Sequence, residues 1–481
     1  MHSTCWRAGS GRPRTNRNSR SRAGVSEMGS RSTLGGLRRM RAAPGCPPQT
    51  ACGLHTRTRP VPAIVPRALA PAAVAAVALT ACGGNGTSSS TSNPNAPLLI
   101  AIVAPTTADP YVAQVLQRGT DLAMREINAA GGVSIGGIKH HVALRTYDDG
   151  LDPQRTLSAV QSAIHDGAFA IIGDGYQAAA AATASDAAHV PQIVIANGST
   201  QTVDPKAHPS LFRIGIPNDA AASVLSAYVA KSSKAPGIIH DDSDNGRDGA
   251  AQLQQALPTA GAKPVGSQEV AQNAPAVDAQ VRALIDAHAD SLIVDGNDTF
   301  VAHVIVAAHA ADPVLPIFTG PAGESPAVRA IAGPDASDGV DFVDSRMTSE
   351  DDESSFGQFE HRLAAAEGGP TDAGVKNREG QEIRQPADFE IFPYDAVNLV
   401  AAAAQKLGST QPSSALLPLM TKVSVRSANG DTRGFNPDNH EGVSDDDLYI
   451  ARIHDMVFAP VKDETLSATL PTADQILADF H

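Results

Sequence analysis

Leu98-Leu99-Ile100-Ala101-Ile102-Val103 is a continuous apolar run, the pattern of a strand buried on both faces. Val112, Val115, Leu116, Gly119, Leu122, Ala123 and Ile127 follow at the three-and-four spacing of one helix face, and Gly131-Gly132 ends the pattern. A buried strand leading into an amphipathic helix is the repeating half of a parallel β-α-β sheet. The alternation continues. Residues 142–147 read as a strand, 153–165 as a helix, 168–172 as a strand, then an Ala-rich helix runs up to residue 188. Residues 192–196 and 211–216 read as further strands. A helix after Asn218 opens a second series, with strands near 237–240, 265–270, 291–294 and 315–318. The fold class is therefore α/β, with largely parallel sheets, helices on both faces, and loops at the carboxyl ends of the strands, where open α/β sheets bind ligands.

Two lobes are expected, because about 385 residues from Pro97 onward exceed one ordinary core. Residues 213–217, 339–344 and 434–449 read as passages between them. The first lobe is then 98–217 plus 345–434, and the second 218–344 plus 435–481. The acidic, Gly-rich stretch 349–386 reads as a helix and a surface loop.

Ahead of this body, Leu79-Thr80-Ala81-Cys82 closes a separate apolar run of about 12 residues that follows Arg67. A basic residue, a short apolar segment and small residues are the layout of a secretory signal. The run is too short to cross a hydrocarbon core, which needs ~20 residues. The Cys after the small pair makes the stretch look like a bacterial lipoprotein signal, with cleavage before Cys82 and a lipid on its thiol. Residues 1–81 are thus leader and signal, and 82–97, rich in Gly, Ser, Thr and Asn, a flexible tether. The Arg-rich part before Arg67 reads as a start codon placed too far upstream, with Met28, Met40, Val61 or Val65 giving a more ordinary signal. Disorder and a nucleic-acid-binding arm are its alternatives.

The whole chain carries −14; without the thirteen Arg and one Glu of residues 1–81 the remainder carries −26. Such a body does not bind nucleic acid by counterion release. All four Cys lie at or before residue 82, which leaves the body without a disulfide, a thiol nucleophile or a thiolate metal site. There is no G-x-S-x-G nucleophile elbow, no H-E-x-x-H, no P-loop and no G-x-G-x-x-G after a strand, and the histidines are scattered. No enzyme, cofactor or metal is expected.

Ala123-Met124-Arg125-Glu126-Ile127-Asn128-Ala129-Ala130-Gly131-Gly132 resembles the A-x-x-E-I-N-A-A-G-G signature of type I periplasmic binding proteins of the leucine/isoleucine/valine-binding class. Asp148-Asp149 with Asp152-Pro153, Ile171-Ile172-Gly173, Leu211-Phe212-Arg213 with Asn218-Asp219, and Tyr394-Asp395-Ala396-Val397 match further family patterns in order. The resemblance spans about residues 98–460. It implies two Rossmann-like lobes joined by a three-strand hinge, closing on a small ligand for an ABC permease. The protein would then be a monomer, anchored to the outer face of the membrane through Cys82. A ligand-sensing component of a signalling system is the alternative on the same fold.

An amino-acid ligand would need amide and hydroxyl donors for its carboxylate and an acid for its ammonium. Asn197-Gly198-Ser199-Thr200 corresponds to the family loop that holds the carboxylate, so Thr200→Ala is expected to weaken binding. Tyr176 and Gln177 stand where the family usually has Ser; Tyr176 either stacks on the ligand or covers a helix start. Thr107 offers a hydroxyl after the first strand. Asn245 stands near the family's Tyr-Gly. Asp295, Asn297 and Glu324 occupy the second lobe's remaining ligand loops, with Asp295 or Glu324 pairing an ammonium. The departures at Tyr176 and Asn245 point to a ligand other than leucine: an amide, a urea-like solute, an aromatic acid or a small peptide.

Overall fold

The computed structural model describes residues 96–345, 355–367, 375–383 and 388–461. The expected signal, Cys82 and nearly all of the tether lie outside the described residues. The first sheet is built from β1 (Leu98–Ala104), α1 (Pro110–Ala129), the hairpin strands β2 (Val133–Ile135) and β3 (Ile138–His140), β4 (Val142–Asp148), and α2 (Pro153–His165). It continues with β5 (Ala170–Gly173), α3 (Ala178–Ala188), β6 (Gln192–Val194) and β7 (Leu211–Arg213). Its strand order is β4-β1-β5-β6-β7, parallel throughout.

The second series runs α4 (Asn218–Ser232), β8 (Pro236–Asp241), α5 (Asp244–Ala260), β9 (Gly266–Val270) and α6 (Asp278–Asp286). Then follow β10 (Ser291–Asp295), α7 (Asp298–Ala311), β11 (Ile317–Thr319), α8 (Pro326–Ala336) and β12 (Asp341–Ser345). The chain then supplies α9 (Ser355–Glu367), α10 (Ile391–Leu407), α11 (Leu416–Met420) and the small ribbon β13 (Ser424–Arg426) and β14 (Thr432–Gly434). Of these, α9 and α10 pack on α1 in the first lobe. Last come β15 (Leu448–His454) and β16 (Val457–Pro460), which extend the second sheet to the order β16-β15-β12-β11-β10-β8-β9. That sheet is parallel from β12 to β9 and antiparallel through β15 and β16.

Local chemistry explains these elements. Asp109 and Asp152 cap α1 and α2, each with Pro at the first helical position. The strands β1, β5 and β8 are buried almost throughout, as parallel strands covered on both faces must be. The signature residues are structural. Glu126 on α1 accepts from the Tyr394 hydroxyl of α10 at 2.7 Å and from Arg362 of α9 at 2.7 Å. Asn128 exchanges two hydrogen bonds with the backbone of Val142. Gly132 has φ +87°, and a Cβ there would collide with the His140 carbonyl.

Two expectations are corrected. Residues 339–344 are not a passage: β12 sits inside the second sheet between β11 and β15. Residues 375–383, assigned to the first lobe, pack on the second: Val375 and Ile383 cluster with Met456, Val457 and Ala459, and Arg378 pairs with Asp335, Asp338 and Asp455. Residues 133–140 form a hairpin that was not anticipated. The passages near 213–217 and 434–449 run side by side, since Arg213 bridges to Glu441 in parallel and Gly442 donates to the Arg213 carbonyl at 2.9 Å.

Candidate functional site

In each sheet the chain reverses its winding at one point, between β1 and β5 in the first and between β8 and β10 in the second. Loops leaving such switch points diverge and open a crevice. On the first lobe the crevice is formed by 105–109 and 174–177. Asp109 caps α1 by accepting from Val112 N at 3.2 Å. Asp174 accepts from Tyr176 N at 2.8 Å, which fixes the loop that presents Tyr176 and Gln177. The Asn197 side chain donates to the Gly175 carbonyl at 2.9 Å and accepts from Ser199 N at 2.9 Å. Below it, Arg213 donates to the Asn197 and Ser199 carbonyls and pairs with Glu441 at 2.7 Å.

On the second lobe Asp241, 1% exposed, is the hub. It accepts from Ser243 N at 3.0 Å, Ser243 Oγ at 2.5 Å, Asn297 N at 2.8 Å and Asn297 Nδ2 at 3.1 Å. Ser243 and Asn297 in turn cap α5 and α7. Gly296 between the two loops has φ +153°, and a Cβ there would press on the Asp241 carboxylate at 2.8 Å. Asp298 accepts from Ser325 Oγ at 2.5 Å.

Polar contacts join the lobes beside the crevice. Gly198 N donates to Asn245 Oδ1 at 3.0 Å; Thr200 N and Oγ1 donate to the Asp248 carboxylate at 2.9 and 2.7 Å. Asn218 N donates to the Gly198 carbonyl at 2.8 Å, while within the second lobe its Nδ2 donates to the Asn245 carbonyl and to Asp248, both at 3.1 Å.

The result is a cavity of about 390 Å³ lined by both lobes, within the range of small-molecule sites. Tyr111, Val112, Val115, Leu116, Tyr176, Phe389 and Phe392 give it an apolar and aromatic wall. Asp109, Asp241, Asp242, Asp244, Asp295 and Asp298 line it too, and among the described lining residues none is Lys, Arg or His. Burial, then the Asp241 charge, pushes the Asp295 carboxyl up to about 7. Burial, then Asp109, does the same to Asp298, also to about 7. Asp109 is raised by burial, and the Tyr176 phenol well above its usual range by burial and then the surrounding aspartates.

Of the residues named from sequence, Tyr176, Gln177, Asn197, Gly198, Asn245, Asp295 and Asn297 line this cavity together. Four stand outside its lining. Thr107 is exposed, its hydroxyl donating to Asp148 Oδ2 at 2.8 Å. Ser199 is buried under the loop, its carbonyl held by Arg213. Thr200 is taken up by Asp248. Glu324, 0% exposed, sits beside Asp344 inside the second lobe and does not reach a ligand's ammonium in the cavity. Sequence reasoning missed Asp109, Tyr111, Asp241 and Asp298 as cavity residues, although each ends a strand or opens a helix at a switch point, which is the signal that finds them. Phe389 and Phe392 carry no local signal, because they arrive from α10 and the turn before it, more than 200 residues downstream of β1.

Residues 99–459 match the family model described as periplasmic binding protein. Among solved structures the chain is similar to a type 1 periplasmic binding protein from Bordetella pertussis Tohama I, at 21% identity and TM-score 0.65, over 76% of this chain and 100% of that one. It is similar to the branched-chain amino acid substrate-binding protein LivJ of Streptococcus pneumoniae in complex with isoleucine, at 18% identity and TM-score 0.62, over 78% and 100%. An ABC transporter substrate-binding protein from Sphaerobacter thermophilus aligns at 19% identity and TM-score 0.63, over 78% and 98%. At these identities the likeness is one of fold. No curated protein matches the chain.

Proposed function

The chain belongs to the periplasmic binding protein family, and from that premise we propose that it is the extracytoplasmic solute-binding component of an ABC importer, monomeric, and held to the membrane by a lipid on Cys82. The observation that carries the reading is the cavity between the lobes, lined from both switch points. A solute gripped by Tyr176, Gln177, Asn197 and Gly198 on one side and Asn245, Asp295 and Asn297 on the other is enclosed only while the lobes stay together. Ligand binding and lobe closure are then one equilibrium. The side-by-side passages pinned by Arg213 and Glu441 supply the pivot, and a permease reads the closed form. The protein binds and releases its solute unchanged.

A thermal-shift screen of amino acids, amides, amines and aromatic acids tests this. A ligand of the folded state raises the melting temperature with the logarithm of its concentration. A concentration-dependent rise for one chemical class is expected; a flat response to every class contradicts the reading.

A further inference from the structure

We infer that the cavity takes a small organic cation, an amine or guanidine without a carboxylate, and not a zwitterionic amino acid. The inference rests on the solute-binding reading above and specifies its ligand. Two independent observations carry it, one about charge and one about donors.

The first is an uncompensated cluster of acids inside a formed cavity. Asp109 of the first lobe and Asp298 of the second face the same space, and Asp241 and Asp295 share its other part. Their partners are backbone amides, hydroxyls and an asparagine amide, and among the described lining residues no Lys, Arg or His stands beside them. Carboxylates gathered away from water with neutral hydrogen-bond donors but no opposite charge beside them are costly. An ammonium or guanidinium lying between them supplies the missing charge, and the rings of Tyr176 and Phe392 add a surface on which a cation is attracted.

The second is that the Tyr176 amide and the donors of loop 197–200, on which a ligand carboxylate would draw, are already given to this chain's own acceptors. The Tyr176 amide goes to Asp174, the Gly198 amide to Asn245, the Ser199 amide to Asn197, and both the amide and hydroxyl of Thr200 to Asp248. Three helix starts beside the cavity are filled likewise: Asp109 caps α1, Ser243 caps α5 and Asn297 caps α7, whereas the starts of α3 and α4, where Gln177 and Asn218 line the cavity, carry no side-chain cap. Helix N-termini attract anions, and at α1, α5 and α7 side chains of the protein occupy them. A ligand carboxylate would have to displace these bonds while facing the aspartates; a cation displaces nothing.

Isothermal titration of the full chain with 1,4-diaminobutane, agmatine, leucine, acetamide, phenylacetate and calcium chloride tests the inference. Saturable binding of 1,4-diaminobutane or agmatine is expected, and none of leucine. Asp298→Asn and Asp109→Asn keep the side-chain volume and remove charge; each is expected to weaken the amine by about tenfold or more. Glu269→Gln removes the same charge from an exposed site outside the cavity and is expected to leave affinity unchanged. Because Asp295 and Asp298 titrate near 7 beside Asp109, Asp241, Asp248 and Tyr176, amine binding at pH 7 releases protons, and its heat changes with the ionisation enthalpy of the buffer. Binding of leucine, acetamide or phenylacetate without the amines overturns the cation inference and leaves the solute-binding reading standing. Stabilisation by calcium alone, or amine binding indifferent to Asp298→Asn and Asp109→Asn, also overturns it. Silence from every probe overturns both.

Discussion

Arg213 is 1% exposed and uses its guanidinium three ways: to the Asn197 carbonyl, to the Ser199 carbonyl and to Glu441. One side chain therefore shapes a cavity loop and ties the first passage between the lobes to the third. Removing one partner of a buried ion pair strands the other. Arg213→Met is expected to lower unfolding free energy by roughly 3 kcal/mol in urea titrations; a loss below about 1 kcal/mol, the worth of an exposed pair, would show that Glu441 finds water instead. Thr200→Ala is expected to lower stability by about 1 kcal/mol, through its hydroxyl bond to Asp248, and its effect on ligand affinity is expected to follow from that loss. Thr200 shows what a sequence can and cannot display at this scale. The loop 197–200 was recognisable by its place after a buried strand, and Asn197 and Gly198 do line the cavity. Which of its donors were free was not legible, because Asp248 and Asn245 come from the other lobe.

At the level of elements, parallel strands and their helices were legible because burial on both faces leaves an unbroken apolar run and each helix carries its own stop and start. Asp152 illustrates this: its carboxylate accepts from the amides of Gln154 and Arg155, both at 2.9 Å, and Pro153 follows at the first helical position. Asp152→Ala is expected to cost about 1 kcal/mol, read from thermal or urea unfolding; an unchanged midpoint would mean α2 is held by packing alone. The β2–β3 hairpin had a signal that went unused. Gly136 and Gly137 both have positive φ, the two-residue turn that suits a hairpin's twist. The β15–β16 hairpin had none, since Asp455 and Met456 take positive φ without glycine. Nor did the segment 375–383, whose place depends on Arg378 meeting three aspartates scattered over 335–455.

Across the whole molecule, the buried acids set a pH dependence. Asp295, Asp298 and Asp344 titrate at about 7 and Asp395 at about 6, raised first by burial, and Asp109, Asp174 and Glu441 shift in the same direction. Folding thus raises their proton affinity above the unfolded value near 4. Their contribution to stability is full below pH 4 and is lost as pH rises through 6 to 7. The ligand-free melting temperature is expected to fall between pH 5 and pH 8, and a bound organic cation to restore it at pH 8; a melting temperature that rises over this range would contradict the assignment of these acids. The net charge of −26 from Cys82 onward acts in the same sense at long range, drawing cations toward the protein more weakly as salt is added. The two lobes and their crevice follow from the alternation of strands and helices, while the acid-lined interior emerges only when both switch points are brought face to face. A crystal structure with the most stabilising solute tests this arrangement most directly. The solute is predicted to lie between the sheets, touching Tyr176 and Asn197 of one lobe and Asp295 and Asp298 of the other; a solute seated on a single lobe, away from these residues, would contradict it.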